Sequence, residues 1–263
     1  MVRDSLFQKA LLKFRSDGFG PFLRSAIRFI NRHFLGARST FIRRIWFEWN
    51  RLKLNRSYGD AAPDPFKIIF VDPNRINSIT WPTFYTDRYR RQGTFIVDGN
   101  WDVGSYDSNN RGVMPITDYW LYDVSAEYLK NNRSWENVNL CENNDTPSKR
   151  KSVEKVVDLY DRITIDGYKS ACELGKGKGF LPAEYDEVRV NIGRDGSVFL
   201  DDGRHRMCAV LLADDVDEIP VRVIARHKIW QDIRQKFANC STISDLDDDL
   251  MKYRSHPDLR EFT

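Results

Sequence analysis

No stretch of the 263-residue chain strings together the roughly 20 apolar residues that a membrane-spanning helix needs, and the N-terminus lacks the uncharged apolar run of a secretory signal. Both absences point to a cytoplasmic chain whose membrane contacts, if it makes any, are peripheral. Cysteine is scarce as well: Cys141, Cys172, Cys208 and Cys240 form no C-x-x-C pair and have no histidine at metal-ligand spacing. That spacing argues against structural zinc, and in a reducing compartment the four thiols are expected to stay free, mostly as small buried hydrophobes. What the chain does hold is 41% hydrophobic and 13% aromatic residues, enough apolar surface at this length to offset chain entropy without staples. One large domain, or one domain with appendages, follows.

The formal net charge of +3 conceals an asymmetry: residues 1–56 hold 13 Lys/Arg against 3 Asp/Glu, whereas the rest of the chain holds 28 against 35. A basic head on an acidic body is a cue for contact with a polyanion. Within that head, Leu23, Ala26, Ile27, Ile30 and Phe34 recur at helical spacing, with Arg24, Arg28 and Arg32 on another face. After Gly36 the pattern repeats, with Ile42, Ile45, Trp46, Trp49 and Leu52 apolar and Arg43, Arg44, Arg51 and Lys53 charged. Such basic, aromatic-rich amphipathic segments suit an anionic membrane surface first and nucleic acid second, or else a docking face on the protein's own body.

Residues 57–65, with Gly59, Pro63 and Pro65, read as a linker, so residues 1–60 are taken as a separate basic helical region. The body, residues 61–226, opens on the β-rich run Lys67-Ile68-Ile69-Phe70-Val71. Residues 84–150 are polar and turn-rich and read as an irregular insertion with short helices around 117–130. Val153, Val156, Val157, Tyr160 and Ile163 then mark a helix ending by Gly167. Val188, Val190 and Ile192 alternate, Asp195-Gly196 supplies a hairpin turn, and Val198 and Leu200 return. A helix near 205–212 and a strand near 219–224 follow, and residues 227–263 read as a helical tail whose Asp245 and Asp247–Asp249 form a solvated acidic face.

The segment Asp201-Asp202-Gly203-Arg204-His205-Arg206 joins a strand end to a helix start, where unpaired backbone N–H groups and the positive end of the helix dipole converge. Gly203 lets a phosphate approach the backbone, Arg204 or Arg206 can fork its oxygens, and His205 adds a donor.

The run VRVNIGRDGSVFLDDGRHRMCAVLLADDVDEIPVRVI resembles the core of the ParB N-terminal domain and sulfiredoxin superfamily, with its strand, hairpin, G-x-x-R phosphate turn, helix and IPV strand. Upstream, IFVDPNRI is similar to that family's opening strand, and SVEKVVDLYDRITIDGY to the helix that precedes the hairpin. The resemblance covers residues 66–226 in pieces and implies an α+β fold, a small mixed sheet with helices, interrupted by the insertion and preceded by the amphipathic region. Family members hold nucleotide phosphates at this turn and include CTP-gated DNA clamps, an ATP-using sulfinic acid reductase and small-molecule kinases. By position, Gly203, His205 and Arg206 would contact phosphate oxygens. Arg204 stands where the reductase needs its cysteine, and the residues after Arg226 are too few for a partition protein's helix-turn-helix domain.

What remains is a nucleotide-dependent phosphotransferase acting on a small hydroxyl compound or a lipid-linked sugar, with a nucleoside triphosphate or diphosphate and magnesium as cofactors. Asp202 is the expected magnesium ligand beside the phosphates. Transfer also needs a carboxylate to deprotonate the acceptor. Asp102, bracketed by Gly99 and Gly104 and walled by Trp101, is the first candidate, with Asp98 and Asp72 as alternatives. The competing expectation is a nucleotide-binding or nucleic-acid-binding module without turnover.

Overall fold

A computed structural model describes residues 40–80, 94–105, 112–138, 146–176, 181–240 and 246–263. The first amphipathic segment of the basic head, around 23–34, lies outside the described residues, as do Cys141 and Asp245. The chain is mixed α+β. Seven strands make one open sheet: β1 (Ile68–Val71), β2 (Ser78–Thr80), β3 (Phe95–Val97), β4 (Val113–Pro115), β5 (Val188–Ile192), β6 (Val198–Asp202) and β7 (Ile219–His227). Their order is β1-β7-β5-β6-β2-β4, with β3 pairing β7 beyond the end of β1. Strand β7 is the spine: all nine of its residues are buried, so its side chains must be covered on both faces.

The alternation at 188–200 forms the antiparallel hairpin β5–β6, closed by Gly193 N–H donating to Ser197 O at 2.9 Å. Gly196 sits in that turn at φ +85°, where a Cβ would come within 2.7 Å of the Trp230 ring. Strand β5 runs parallel to β7, with Val188 opposite Val221 and Ile192 opposite Arg226. The Gly203 end of the hairpin therefore coincides with the N-terminal end of β7, and the Gly193 end with its C-terminal end.

Six helices stand among the described residues: α1 (Thr40–Tyr58), α2 (Trp120–Lys130), α3 (Pro147–Asp166), α4 (Arg204–Ala213), α5 (Lys228–Asn239) and α6 (Asp248–Met251). Thr146 caps α3 by accepting from Lys149 N–H, Pro147 occupies its first turn, and Gly167 ends it. Val153 and Val156 of α3, Leu121 and Val124 of α2, and Met207, Cys208 and Val210 of α4 join the sheet residues Val188, Val190, Leu200 and Val221 in one core. At about 25 cal/mol per Å² of apolar surface, this cluster is the main source of stability.

Two expectations of the chain's organisation are corrected. Residues 84–150 are no mere insertion: they add β3 and β4 to the sheet and α2 to the core, because Leu121 and Val124 fall on one helical face. Residues 57–65 do not link separate bodies. Ala61 is buried, and its carbonyl accepts from Gln231 Nε2 at 2.8 Å and Arg234 Nε at 3.1 Å, since a buried carbonyl must find donors. Helix α1 is itself docked, through Phe47, on Phe66, Tyr185 and the guanidinium of Arg222. Among the thiols, Cys208 is buried and pushed by burial up to about 12, but Cys172 is exposed.

The C-terminal segment is locked by a buried ionic cluster. Asp258 accepts from Arg226 at 2.6 and 2.9 Å and from Trp230 Nε1 at 3.0 Å, and Arg234 lies beside it at 3.5 Å. Burial alone would push the Asp258 carboxyl up; the two arginines hold it well below the ordinary carboxylate range.

Candidate functional site

Helix α4 begins at Gly203, whose φ of +97° suits a residue without Cβ; no side chain caps its first N–H groups. A Cβ there would press on Val188 at 3.2–3.3 Å, so glycine is also required by the approach of β5. In front of this helix start opens a cleft of about 650 Å³. Its floor is Asp202, Gly203, Arg204, His205 and Arg206, so the structure brings five of the six residues of the sequence motif to one place.

Two walls contribute residues that no local pattern marked. From α3 comes Lys155, and from the turn after it Lys176; neither makes an ion pair among the described residues. From the approach to α2 come Tyr119 and Trp120, their rings 5.9 Å apart. The Arg204 guanidinium stacks 5.4 Å from the centre of the Tyr119 ring, and Lys149 lies 4.9 Å from that of Trp120. Burial, and after it the nearby charge of Lys155, lowers the His205 ring from its ordinary value and so favours its neutral form.

Three carboxylates line the cleft, Asp186, Glu187 and Asp202, and Glu187 is the buried one among them. It immediately precedes β5, is 3% exposed, and accepts from Ala171 N–H at 2.6 Å through Oε1. Its Oε2 has no hydrogen-bond partner; the nearest cation is Arg206 Nη1 at 3.5 Å. Burial pushes this carboxyl up from its ordinary value, and the Ala171 amide, Arg206 and the Cys172 amide offset that only in part. Arg206 is held on its other side by the carbonyl of Asp186.

The three aspartates expected as proton acceptors lie elsewhere. Asp102 is at the Gly193 end of the β5–β6 hairpin, a full strand of about 17 Å from Gly203. There it accepts from Arg194 N–H at 2.7 Å, Nη2 at 2.8 Å and Nε at 3.1 Å, with His227 Nε2 at 4.0 Å. Burial pushes its carboxyl up, and the Arg194 hydrogen bonds more than reverse this, keeping it ionised. Asp98 is exposed at the same end, accepting from Gly99 N–H and facing Lys228 at 3.9 Å. Asp72 caps the turn Pro73–Arg75 and shares a small cavity with Asp214 at the far end of α4, about 15 Å of helix from Gly203.

Asp202, expected as the magnesium ligand, is committed. One oxygen accepts from Gly203 N–H at 2.8 Å, and the other is held by Arg189, which also reaches Asp201 at 3.4 Å. The described residues contain no cluster of three His, Cys, Asp or Glu side chains able to hold a metal ion. Around the helix start the donors are side-chain cations and amide N–H groups, with Asp202 the carboxylate beside them. Compared with protein-family models, curated proteins and solved structures, the chain matches none of them.

Proposed function

We propose that the cleft before α4 binds a nucleotide, with phosphates at the Gly203–Arg206 turn, and that the protein is a nucleotide-dependent phosphotransferase. The observation that carries the reading is the pairing of two lysines, Lys155 and Lys176, that have no carboxylate partner among the described residues, with an uncapped helix start and a basic turn around one concavity. Anionic oxygens would replace solvent at the Gly203 helix start, while Arg206 supplies a forked donor already braced by Glu187. Tyr119 and Trp120 offer ring faces to a nucleobase. Resemblance of the turn to the ParB and sulfiredoxin superfamily supports the same assignment, including a fold of that type.

Phosphoryl transfer needs little from the protein beyond position, charge and a proton acceptor. Glu187, a buried and raised carboxyl in the cleft wall, takes the acceptor role that the sequence suggested for Asp102. The acceptor is a small hydroxyl compound or a lipid-linked sugar. A binding module without turnover is the second reading, favoured by the distance of all three candidate aspartates from the turn.

Calorimetric titration of the full chain with ATP, ADP and CTP tests the proposal. Wild type is expected to bind at least one of them, and Arg206→Ala to weaken it by about 10- to 100-fold, the worth of a charged hydrogen bond pair. Absence of binding by every nucleotide, or a variant that binds as wild type does, would reject the phosphate site.

A further inference from the structure

Helix α1 has two faces with different fates. Phe47 is fully buried, 5.6 Å from the Phe66 ring and 5.7 Å from that of Tyr185. Asn50 Nδ2 on the same side donates to Thr94 O, and Arg43 donates to the Tyr185 hydroxyl. At 3.6 residues per turn, Ile45, Trp49 and Leu52 fall on the opposite side of the helix, with Trp46 at its margin. They are 50%, 65%, 55% and 45% exposed. Of the ten large apolar side chains exposed among the described residues, five belong to this one helix, so the patch is a cluster and not the ordinary scatter of a surface.

The charges around the patch have one sign. Lys53 and Arg56 are exposed along the same side. Glu48, the sole acid of the helix, is covered by Arg44 at 2.7 Å and Arg51 at 2.9 Å and presents no bare negative charge. The 39 residues that lead into α1 carry 8 Lys/Arg against 2 Asp/Glu. Tryptophans in an apolar stripe, bordered by cations, match the boundary between lipid headgroups and acyl chains. A nucleic acid would use the cations and leave Ile45 and Leu52 without a partner.

We propose that this face of α1 docks the protein on an anionic lipid bilayer, lying in the interface plane with Trp46, Trp49, Ile45 and Leu52 inserted and Lys53 and Arg56 among the headgroups. No helix among the described residues is long and apolar enough to span the membrane, so the contact is peripheral. Because Phe47 ties the other face of α1 to the body, the docked helix also fixes the orientation of the protein on the surface. The inference is independent of what the cleft before α4 binds.

The test is co-sedimentation of the full chain with phosphatidylcholine vesicles, with and without phosphatidylserine, and the tryptophan emission of the same samples. Wild type is expected to pellet only with the anionic vesicles and to shift its emission to the blue. A Trp46→Ala/Trp49→Ala variant should lose about tenfold or more in partitioning, since each ring removed is apolar area withdrawn from the interface. A Lys53→Glu/Arg56→Glu variant should lose at least about fivefold per charge, in proportion to the anionic lipid. Both variants change exposed side chains only and should keep the wild-type melting temperature. Wild type that stays in the supernatant, or variants that pellet unchanged, would overturn the proposal. So would a wild-type dimer, seen without vesicles, that the double tryptophan change dissolves, because it would assign the face to a second copy of the chain.

Discussion

Replacing Asp102 by asparagine separates two readings of this carboxylate. The substitution keeps size and one acceptor oxygen but turns the other position into a donor that faces the amide and guanidinium of Arg194. Asp102 is buried, with a side-chain exposure of 1%, whereas Arg194 is 31% exposed and can turn partly to water. A charged hydrogen bond to a buried group is worth about 1.5–3 kcal/mol, and breaking a fully buried pair about 3–5 kcal/mol. With one partner about a third exposed, the loss should fall at about 2–3 kcal/mol, or roughly 4–12 °C in melting temperature for a chain of this size. Arg194 also bonds Gly99 O at 2.8 Å and Asn100 Oδ1 at 2.9 Å, so residues 99–104 should become susceptible to proteolysis together. Nucleotide affinity should not move, because the Gly203 turn lies a strand's length away. Thermal unfolding and calorimetry on the same variant decide the matter. An unchanged melting temperature with lost nucleotide binding or turnover would refute the reasoning and return Asp102 to the site.

Two further outcomes follow from the buried acids. Asp258→Asn should destabilise by about 3–5 kcal/mol in urea unfolding, since it leaves Arg226 and Arg234 buried without their shared anion. The folded-state carboxyl is depressed, so its contribution is whole above the ordinary value of 3.8 and drains as pH falls below it; wild type and variant should converge in strong acid. Glu187→Gln should instead raise stability at pH 7, because the wild-type carboxyl is raised and ionises at a cost. That gain should be absent below the ordinary value of 4.5 and grow as pH rises through the folded-state value; a variant less stable than wild type at pH 7 would count against a carboxyl held for function.

The sequence by itself determined the elements whose signals are local. Alternation at Val188, Val190 and Ile192 with Asp195-Gly196 made the hairpin, and apolar residues at helical spacing placed α1, α3 and α4. Gly203 between a strand and a basic helix start located the turn at the floor of the cleft, because backbone geometry and the helix dipole act within a few residues. Which side chains meet that turn was a different matter. Asp102 looked catalytic from its Gly-bracketed loop, yet it closes on Arg194, 92 residues on, and nothing in a loop's own composition encodes its distant partner. Glu187 reached the cleft only because the antiparallel register sets the start of β5 beside the end of β6, and Lys155 only because α3 packs its valines inward on α4. In the same way the pattern of α1 marked one apolar set, Ile42, Ile45, Trp46, Trp49 and Leu52, whereas packing took Phe47 for the body and left Trp49 to solvent. Period and turn chemistry are fixed by neighbouring residues, whereas strand register and helix docking are fixed by the burial of apolar surface summed over segments far apart in the chain. The locations of the elements were therefore local properties of the sequence, and the membership of the site was a property of the fold.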